Sequence, residues 1–181
     1  LLARSKVVSL AKVPDMDKVY SGETGLTIGP AVTQSVLGVE AMIPPAYRGL
    51  AEAAGSVASP QIRNVATIGG NACLNTRCWY YNQSSQWRRS RPRCFKRGGD
   101  YCYVVNAEGG GRCFALFMAD TAIMLTALGA SVLLKSSGGS RLVQLKDFYT
   151  GKGEKPNQLM PSEILAEIRV PLLPAGSGSA Y

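Results

Sequence analysis

Between residues 72 and 118 the chain follows neither the alternation of a strand nor the three-to-four spacing of a helix. A stretch that long without regular structure is unusual inside a compact domain, because its backbone N–H and C=O groups still need partners. It needs an organising element of its own. Four of the five cysteines lie in it: Cys78, Cys94, Cys102 and Cys113, with 15, 7 and 10 residues in the gaps. Cys73 stands just before them in Asn71-Ala-Cys-Leu-Asn75 and reads as a small buried residue. An odd number of cysteines without a secretory signal argues against a disulfide framework. The spacing has neither the C-x₂-C knuckles of zinc ribbons nor the tight run of bacterial ferredoxins. Spacing alone therefore leaves unlinked buried thiols open beside metal ligation. Histidine is absent, which removes His-based triads and every zinc or non-haem iron site that needs imidazole. Thiolates alone suit an iron–sulfur cluster or a Cys₄ zinc site. Gly98-Gly99 and Gly109–Gly111 flank the cysteines, where the backbone can turn tightly and offer N–H groups to sulfur.

The same stretch holds most of the charge. The chain carries +8, and Arg77, Arg88, Arg89, Arg91, Arg93, Lys96, Arg97 and Arg112 face only Asp100 and Glu108, a local +6. Such a run is most often a solvated face. With Trp79, Tyr80, Tyr81 and Trp87 beside it, it could also bind nucleic acid, as a Cys₄ zinc module would. It would equally offset the negative charge of a four-thiolate cluster.

The rest of the chain reads as an ordinary globular core. At 181 residues and 46% hydrophobic it fits one domain, or one and part of another. Apolar runs such as Ala122–Leu128 are too short to cross a bilayer. Leu1–Leu10 carries Arg4 and Lys6 and is no signal peptide, so a cytoplasmic location is expected. Leu1 is not an initiator Met, and the chain is read as a fragment or a trimmed chain. Residues 1–34 read as short strands and turns, including Gly25–Gly29. Ala46–Ala58 reads as a helix ended by Ser59-Pro60. Residues 61–71 read as a loop ending in Thr67-Ile-Gly-Gly-Asn71, whose Gly-Gly could be a plain turn or an anion-binding nest of N–H groups. Ala119–Leu128 reads as a helix stopped by Gly129. Ala130–Lys135 and Arg141–Leu145 read as strands around a turn at Ser136–Gly139, followed by a helical turn at Lys146–Thr150. Ile164–Val170, between Pro161 and Pro171, is the last strand. Gly176-Ser-Gly-Ser179 reads as a linker.

Three segments carry a resemblance. Ser59-Pro-Gln-Ile-Arg-Asn-Val-Ala-Thr-Ile-Gly-Gly-Asn71 resembles the second FAD-binding motif of molybdenum hydroxylase flavin subunits, the xanthine dehydrogenase and carbon monoxide dehydrogenase family. Ala119-Asp-Thr-Ala122 with Leu125–Ala130, and Pro161–Pro171, resemble its next two landmarks. In most members the Gly-Gly-Asn motif and the Asp lie within a helical turn or two. Here Asn71 and Asp120 are 49 residues apart, and the excess holds the four cysteines. Asn75–Gln83 and Cys94–Asp100 resemble the beta subunits of the 4-hydroxybenzoyl-CoA reductase branch, whose insertion binds an additional [4Fe-4S] cluster.

The resemblance implies an α+β fold: a split FAD-binding domain of the vanillyl-alcohol-oxidase/CO-dehydrogenase type, interrupted by an irregular iron–sulfur loop. Residues 1–71 and 119–175 would be its two parts, 72–118 the insertion and 176–181 a linker to a C-terminal domain. The family's first glycine-rich FAD loop would precede Leu1. FAD contacts would fall on Thr67, Ile68, Gly69, Gly70 and Asn71, with Asp120 on the ribityl hydroxyls and Val57 and Leu165 flanking the flavin. As residues alone, Asp120 reads equally as a helix N-cap, and Val57 and Leu165 as core. Cys78, Cys94, Cys102 and Cys113 would hold the cluster. Partner subunits would carry [2Fe-2S] centres and molybdopterin, in a dimer of heterotrimers. Electrons would run from ferredoxin through [4Fe-4S], FAD and [2Fe-2S] to molybdenum, where 4-hydroxybenzoyl-CoA is dehydroxylated. An acidic ferredoxin could dock on the arginine-rich face. Alternatives are a flavin subunit for aldehyde, CO or N-heterocycle oxidation, and the zinc module above.

Overall fold

The computed structural model describes residues 8–39, 42–105, 107–108 and 111–181. Strands β1 (Val19–Gly22) and β2 (Gly25–Ile28) form a hairpin, followed by helices α1 (Gln34–Leu37), α2 (Arg48–Ser56), α3 (Pro60–Arg63) and α4 (Ile68–Ala72). The cysteine segment contributes helix α5 (Ser85–Arg89) and the two-residue strands β3 (Tyr101–Cys102) and β4 (Ala107–Glu108). Then come α6 (Asp120–Ala127), β5 (Ser131–Ser136), β6 (Gly139–Gln144), α7 (Leu145–Phe148), the hairpin β7 (Tyr149–Lys152) and β8 (Lys155–Asn157), and β9 (Ile164–Pro171).

The main sheet is antiparallel, in the order β1-β2-β9-β5-β6. The last strand in sequence lies in the middle, which is why its apolar residues read so clearly. Ile168 and Val170 face the core with Leu26, Ile28, Val132 and Leu134. Leu50, Ala53 and Ala54 of α2 and Met124 and Leu125 of α6 cover that face. The other face is more open, as Leu142 and Tyr20 show. Side chains alternate across a strand, so Leu165, three residues before Ile168, should point away from the core. A bulge prevents this. Leu133 pairs with Glu167 while Leu134 pairs with Leu165, so Ala166 is the extra residue. The phase shifts there and Leu165 is turned inward.

Several boundaries differ from the sequence expectations. The first long helix opens with a 3₁₀ turn, Pro45–Tyr47, and ends at Ser56, with Val57 as its C-cap. Ser59-Pro60 starts a helix as well as closing one: the Ser59 hydroxyl accepts the Ile62 N–H at 3.4 Å and Pro60 sits in the first turn. The expected loop over 61–71 is thus largely the two short helices α3 and α4. Helix α1, α5 and the β7–β8 hairpin had no signal strong enough to read, because none spans two full periods. The helical turn lies at Leu145–Phe148, starting one residue and ending two residues before its expected bounds. Gly129 adopts φ 71° beyond α6, as a stop glycine does. Of Gly109–Gly111 only Gly111 lies among the described residues; Arg4 and Lys6 lie outside them. Residues 176–181 fold back along α2. The Ser179 hydroxyl donates to Ala46 O at 2.8 Å and accepts the Gly49 N–H at 3.0 Å, and the Tyr181 N–H donates to Glu52 at 2.8 Å.

Fully buried Ile168 is the centre of this core. Ile168→Ala should lower stability by about 2–5 kcal/mol in urea denaturation, against at most about 0.5 kcal/mol for exposed Lys135→Ala. A second test concerns the turn entering β9. Arg141 grips Glu163 with both ends of its guanidinium, at 2.7 and 2.9 Å. That grip, with the Met160 N–H, holds the Glu163 carboxyl at about 2 instead of 4.5. Its stabilisation is complete above pH 4.5 and is lost as pH falls towards about 2. Glu163→Gln should therefore lower stability near neutrality and flatten its pH dependence across that window, as read by acid titration of circular dichroism.

Candidate functional site

Thr67 is the hub of the first candidate region. Its hydroxyl accepts the Gly70 N–H at 3.1 Å, capping α4, and its backbone forms a bridge with Thr33. The adjacent glycines differ in what surrounds them. A Cβ on Gly69 would lie 2.5 Å from Pro30 Cβ and 2.8 Å from Pro30 O, so only glycine lets α4 approach the segment after β2 this closely. A Cβ on Gly70 would meet only the Thr67 hydroxyl, at 3.1 Å. Gly70 is exposed and forms the saddle between two grooves. One, about 700 Å³, is lined by Val57, Thr67, Gly70, Asn71 and Asp120, with Met118 on its rim. The other, about 560 Å³ and mainly apolar, is lined by Pro30, Thr67, Gly69, Gly70, Cys73 and Leu165. Seven of the eight candidate cofactor residues border these grooves. The eighth, Ile68, has its side chain fully buried in the core.

The anion nest, one of the two readings left open at the glycines, is not formed. The N–H groups of Ile68 and Gly69 donate to Val32 O and Pro30 O, each at 2.9 Å. Those of Gly70 and Asn71 go to the Thr67 hydroxyl and Thr67 O. All four donors serve the local helix and its docking, leaving none to gather round a phosphate. What the motif offers a ligand is bare backbone at Gly70 and the Asn71 side chain.

Asn71 is oriented from behind. Fully buried Gln34 donates its amide to Thr121 Oγ1 at 3.5 Å, and the Thr121 hydroxyl donates to Asn71 Oδ1 at 2.6 Å. With Oδ1 occupied as an acceptor, the Asn71 NH₂ is the polar group left for the groove. Asp120 is the first residue of α6, not its N-cap: that position is Ala119, which has no side-chain cap. Its carboxylate lies at the positive end of the helix and accepts the Tyr181 hydroxyl at 3.2 Å.

The second region is the cysteine segment. All five cysteines are free thiols. Cys73 is set apart: burial pushes its thiol up to about 11, so it stays protonated at neutral pH. Three of the other four neighbour Lys96. Its ammonium has the Cys113, Cys78 and Cys94 thiols as neighbours, and Cys102 is a neighbour of Cys113. Cys94 forms a backbone bridge with Tyr101, next to Cys102. The Ala115 N–H points at the Cys113 sulfur, 3.4 Å away. Among the described residues no three His, Cys, Asp or Glu are gathered closely enough for a single metal ion. A cubane asks for a wider set, since each thiolate binds a different iron.

Two contributors to this compartment lie outside the cysteine segment and carried no sequence signal. Gly153 and Glu154, at the tip of β7–β8, clasp Cys113: the Gly153 N–H donates to Cys113 O at 3.2 Å and the Cys113 N–H donates to Glu154 Oε2 at 3.2 Å. A Cβ on Gly153 would lie 2.9 Å from the Cys113 sulfur. The basic residues are less of a free face than their number suggested. Arg88 donates to Tyr81 O and Gln83 O, Arg97 to Arg88 O, and Arg91 covers the Trp87 ring at 4.5 Å. The two regions adjoin. Arg77 and Leu116 exchange backbone hydrogen bonds at 2.7 and 2.9 Å. Arg77 lines the larger groove while its neighbour Cys78 enters the thiol compartment.

The model of the FAD binding domain in molybdopterin dehydrogenases matches residues 1–173. The chain belongs to this family. It is 30% identical over 172 residues to the FAD-binding subunit of an Escherichia coli (strain K12) aldehyde oxidoreductase, covering 86% of this chain and 52% of that one. It is 26% identical to the nicotinate dehydrogenase FAD-subunit of Eubacterium barkeri, covering 97% and 46%. The chain thus spans about half the length of the curated relatives it matches. Among solved structures, carbon monoxide dehydrogenase from Hydrogenophaga pseudoflava superposes with a TM-score of 0.62 at 23% identity, over 92% of this chain and 44% of that one. Quinoline 2-oxidoreductase from Pseudomonas putida 86 gives 0.60 at 19%, over 91% and 43%. These two share the fold, the α+β flavoprotein type expected from the sequence. The match to residues 1–173 sets the cysteines inside a flavin domain, not in a freestanding nucleic-acid module.

The residues of this FAD-binding domain suit a flavin nucleotide: a long two-lobed groove, a bare glycine saddle, an oriented amide and a carboxylate, with apolar walls. The two glycines should respond differently. Gly69→Ala should lower the thermal midpoint through the Pro30 clash. Gly70→Leu should leave that midpoint close to wild type while filling the groove, so that the purified full-length subunit carries less flavin by absorbance.

Proposed function

We propose that this FAD-binding domain is part of the electron-transfer subunit of a molybdenum hydroxylase-type complex, and that residues 72–118 carry a [4Fe-4S] cluster on Cys78, Cys94, Cys102 and Cys113, the arrangement of 4-hydroxybenzoyl-CoA reductase. The observation that supports it most is the grouping of three thiols around one ammonium, with the fourth, Cys102, beside Cys113, joined to the flavin groove through the Arg77–Leu116 bridge. When bound, FAD and the cluster supply the electron-transfer chemistry. The chain's own residues bind and orient. The Asn71 amide and the Asp120 carboxylate would hold ribityl hydroxyls, Gly70 would admit the nucleotide to both lobes, and Val57 and Leu165 would keep water from the ring. Ile68 would act from the core, by fixing α4. Residues 1–71 and 119–175 form the two parts of the flavin domain in this reading, with a C-terminal domain beyond 181. The complex would include molybdopterin and [2Fe-2S] subunits, in a cytoplasmic dimer of heterotrimers. A ferredoxin-like donor would meet the exposed Arg89 and Arg93.

A second reading keeps the flavin and the complex but makes the cysteine loop structural, with an aldehyde, CO or N-heterocycle as substrate. The aldehyde and nicotinate enzymes among the relatives favour it. No helix among the described residues is long and apolar enough to cross a membrane. Iron, acid-labile sulfide and flavin counts on the purified complex, with EPR of the reduced form, separate the readings. The first expects iron beyond that of the [2Fe-2S] centres, lost in Cys102→Ser with flavin retained. Flavin with no such iron in the wild type rejects it and leaves the second.

A further inference from the structure

We infer that Lys96 is the fixed counter-cation and latch of the cysteine compartment, held in place by the β7–β8 tip, and that it sets the charge balance of the group the thiols carry; this rests on the proposed function above. The Lys96 ammonium is half-buried and fully engaged. It donates to Asn75 Oδ1 at 2.9 Å, to Gly153 O at 3.0 Å and to the Thr76 hydroxyl. The Thr76 hydroxyl in turn donates to the same Gly153 carbonyl. Three acceptors use the three donors of an ammonium. They come from different parts of the chain: Asn75 and Thr76 at the entry of the insertion, and Gly153 from a hairpin 57 residues after Lys96. One side chain therefore ties the insertion's entry, its middle and the parent domain together.

All three acceptors are neutral, so none cancels the positive charge. Its titratable neighbours are the thiols of Cys113, Cys78 and Cys94, and then Glu154. Glu154 already accepts the Cys113 N–H. Among the nearby arginines, Arg88 and Arg97 are turned to backbone carbonyls and Arg91 to an aromatic ring. The lysine charge is therefore left for the thiolates, at a site partly screened from water, where it acts more strongly than at a solvated surface. A planar guanidinium could keep the charge but could not reproduce this three-point contact. Gly153 completes the site: a side chain there would strike the Cys113 sulfur and the Ala115 N–H, at 2.9 Å each.

The test uses the purified complex with Lys96→Gln and Lys96→Arg, and reads iron and sulfide per flavin and the midpoint potential by EPR-monitored titration. Reduction adds one negative charge, which a nearby cation favours. Lys96→Gln should therefore either shift the cluster's midpoint to more negative values or lose the cluster while keeping flavin. Lys96→Arg should stay closer to wild type in potential. A Lys96→Gln complex with full iron and an unchanged midpoint overturns the proposal, as does one that loses flavin together with iron. If the wild-type complex itself holds no such cluster, the proposed function fails. The latch then stands or falls on hydrogen exchange: Lys96→Gln must speed exchange at Thr76–Cys78 and at Gly153.

Discussion

The burial of β9 between β2 and β5 is the constraint on which the rest of the molecule depends. Ile168 and Val170 knit the two halves of the sheet, and the helices α2 and α6 can cover the sheet only while that strand stays in register. A one-residue slip would send its apolar set to the solvent face. The bulge at Ala166 works within this constraint, placing Leu165 on the same side as Ile168 although the spacing forbids it in a regular strand. The apolar wall of one groove is thus a consequence of strand pairing more than of local sequence.

On this apolar frame sits a segment held by different forces. The cysteine segment buries few large aliphatic side chains. Polar ties hold it: the Lys96 ammonium, the Thr76 hydroxyl, the Gly153–Glu154 clasp and the arginines turned onto carbonyls. Aromatic stacking adds to this, with the Tyr101 and Tyr103 rings 4.7 Å apart and Tyr80, Trp87 and Tyr103 forming a further cluster. Such contacts specify geometry more than they supply stability, since exchanging water for a neutral partner gains about 0.5–1.5 kcal/mol each. A segment of this kind is well placed to be ordered by what it binds, because ligand affinity for the folded form adds directly to folding.

Much of the frame could be read from the residues. The helix at 119–128, its stop at Gly129, the hairpin around Ser136–Gly139 and the strand at 164–170 all announced themselves, because each combines a full period with a turn residue. The short helices α1, α3, α4 and α5 did not. They exist because Thr33, Ser59, Thr67 and Ser84 cap them and tertiary contacts hold them, and four or five residues carry no readable period. The glycine motif left a plain turn and an anion nest both open, and the structure rules out the nest: its N–H groups are spent on Val32, Pro30 and Thr67, partners that a linear reading could not supply.

The sequence by itself determined the kinds of chemistry available: four thiols in one segment, no imidazole, a Gly-Gly-Asn motif and a carboxylate 49 residues on. Residue type and local pattern suffice for that, because they decide what a side chain can donate, accept or ligate. Only the tertiary structure decided which of these groups meet. It set Asn71 in line with Gln34 and Thr121, separated Gly69 from Gly70 in role, and brought Gly153 against Cys113 and Lys96. Those pairings join positions 40 to 87 residues apart, and distances of that kind are set by how the chain closes on its core, which no local pattern records.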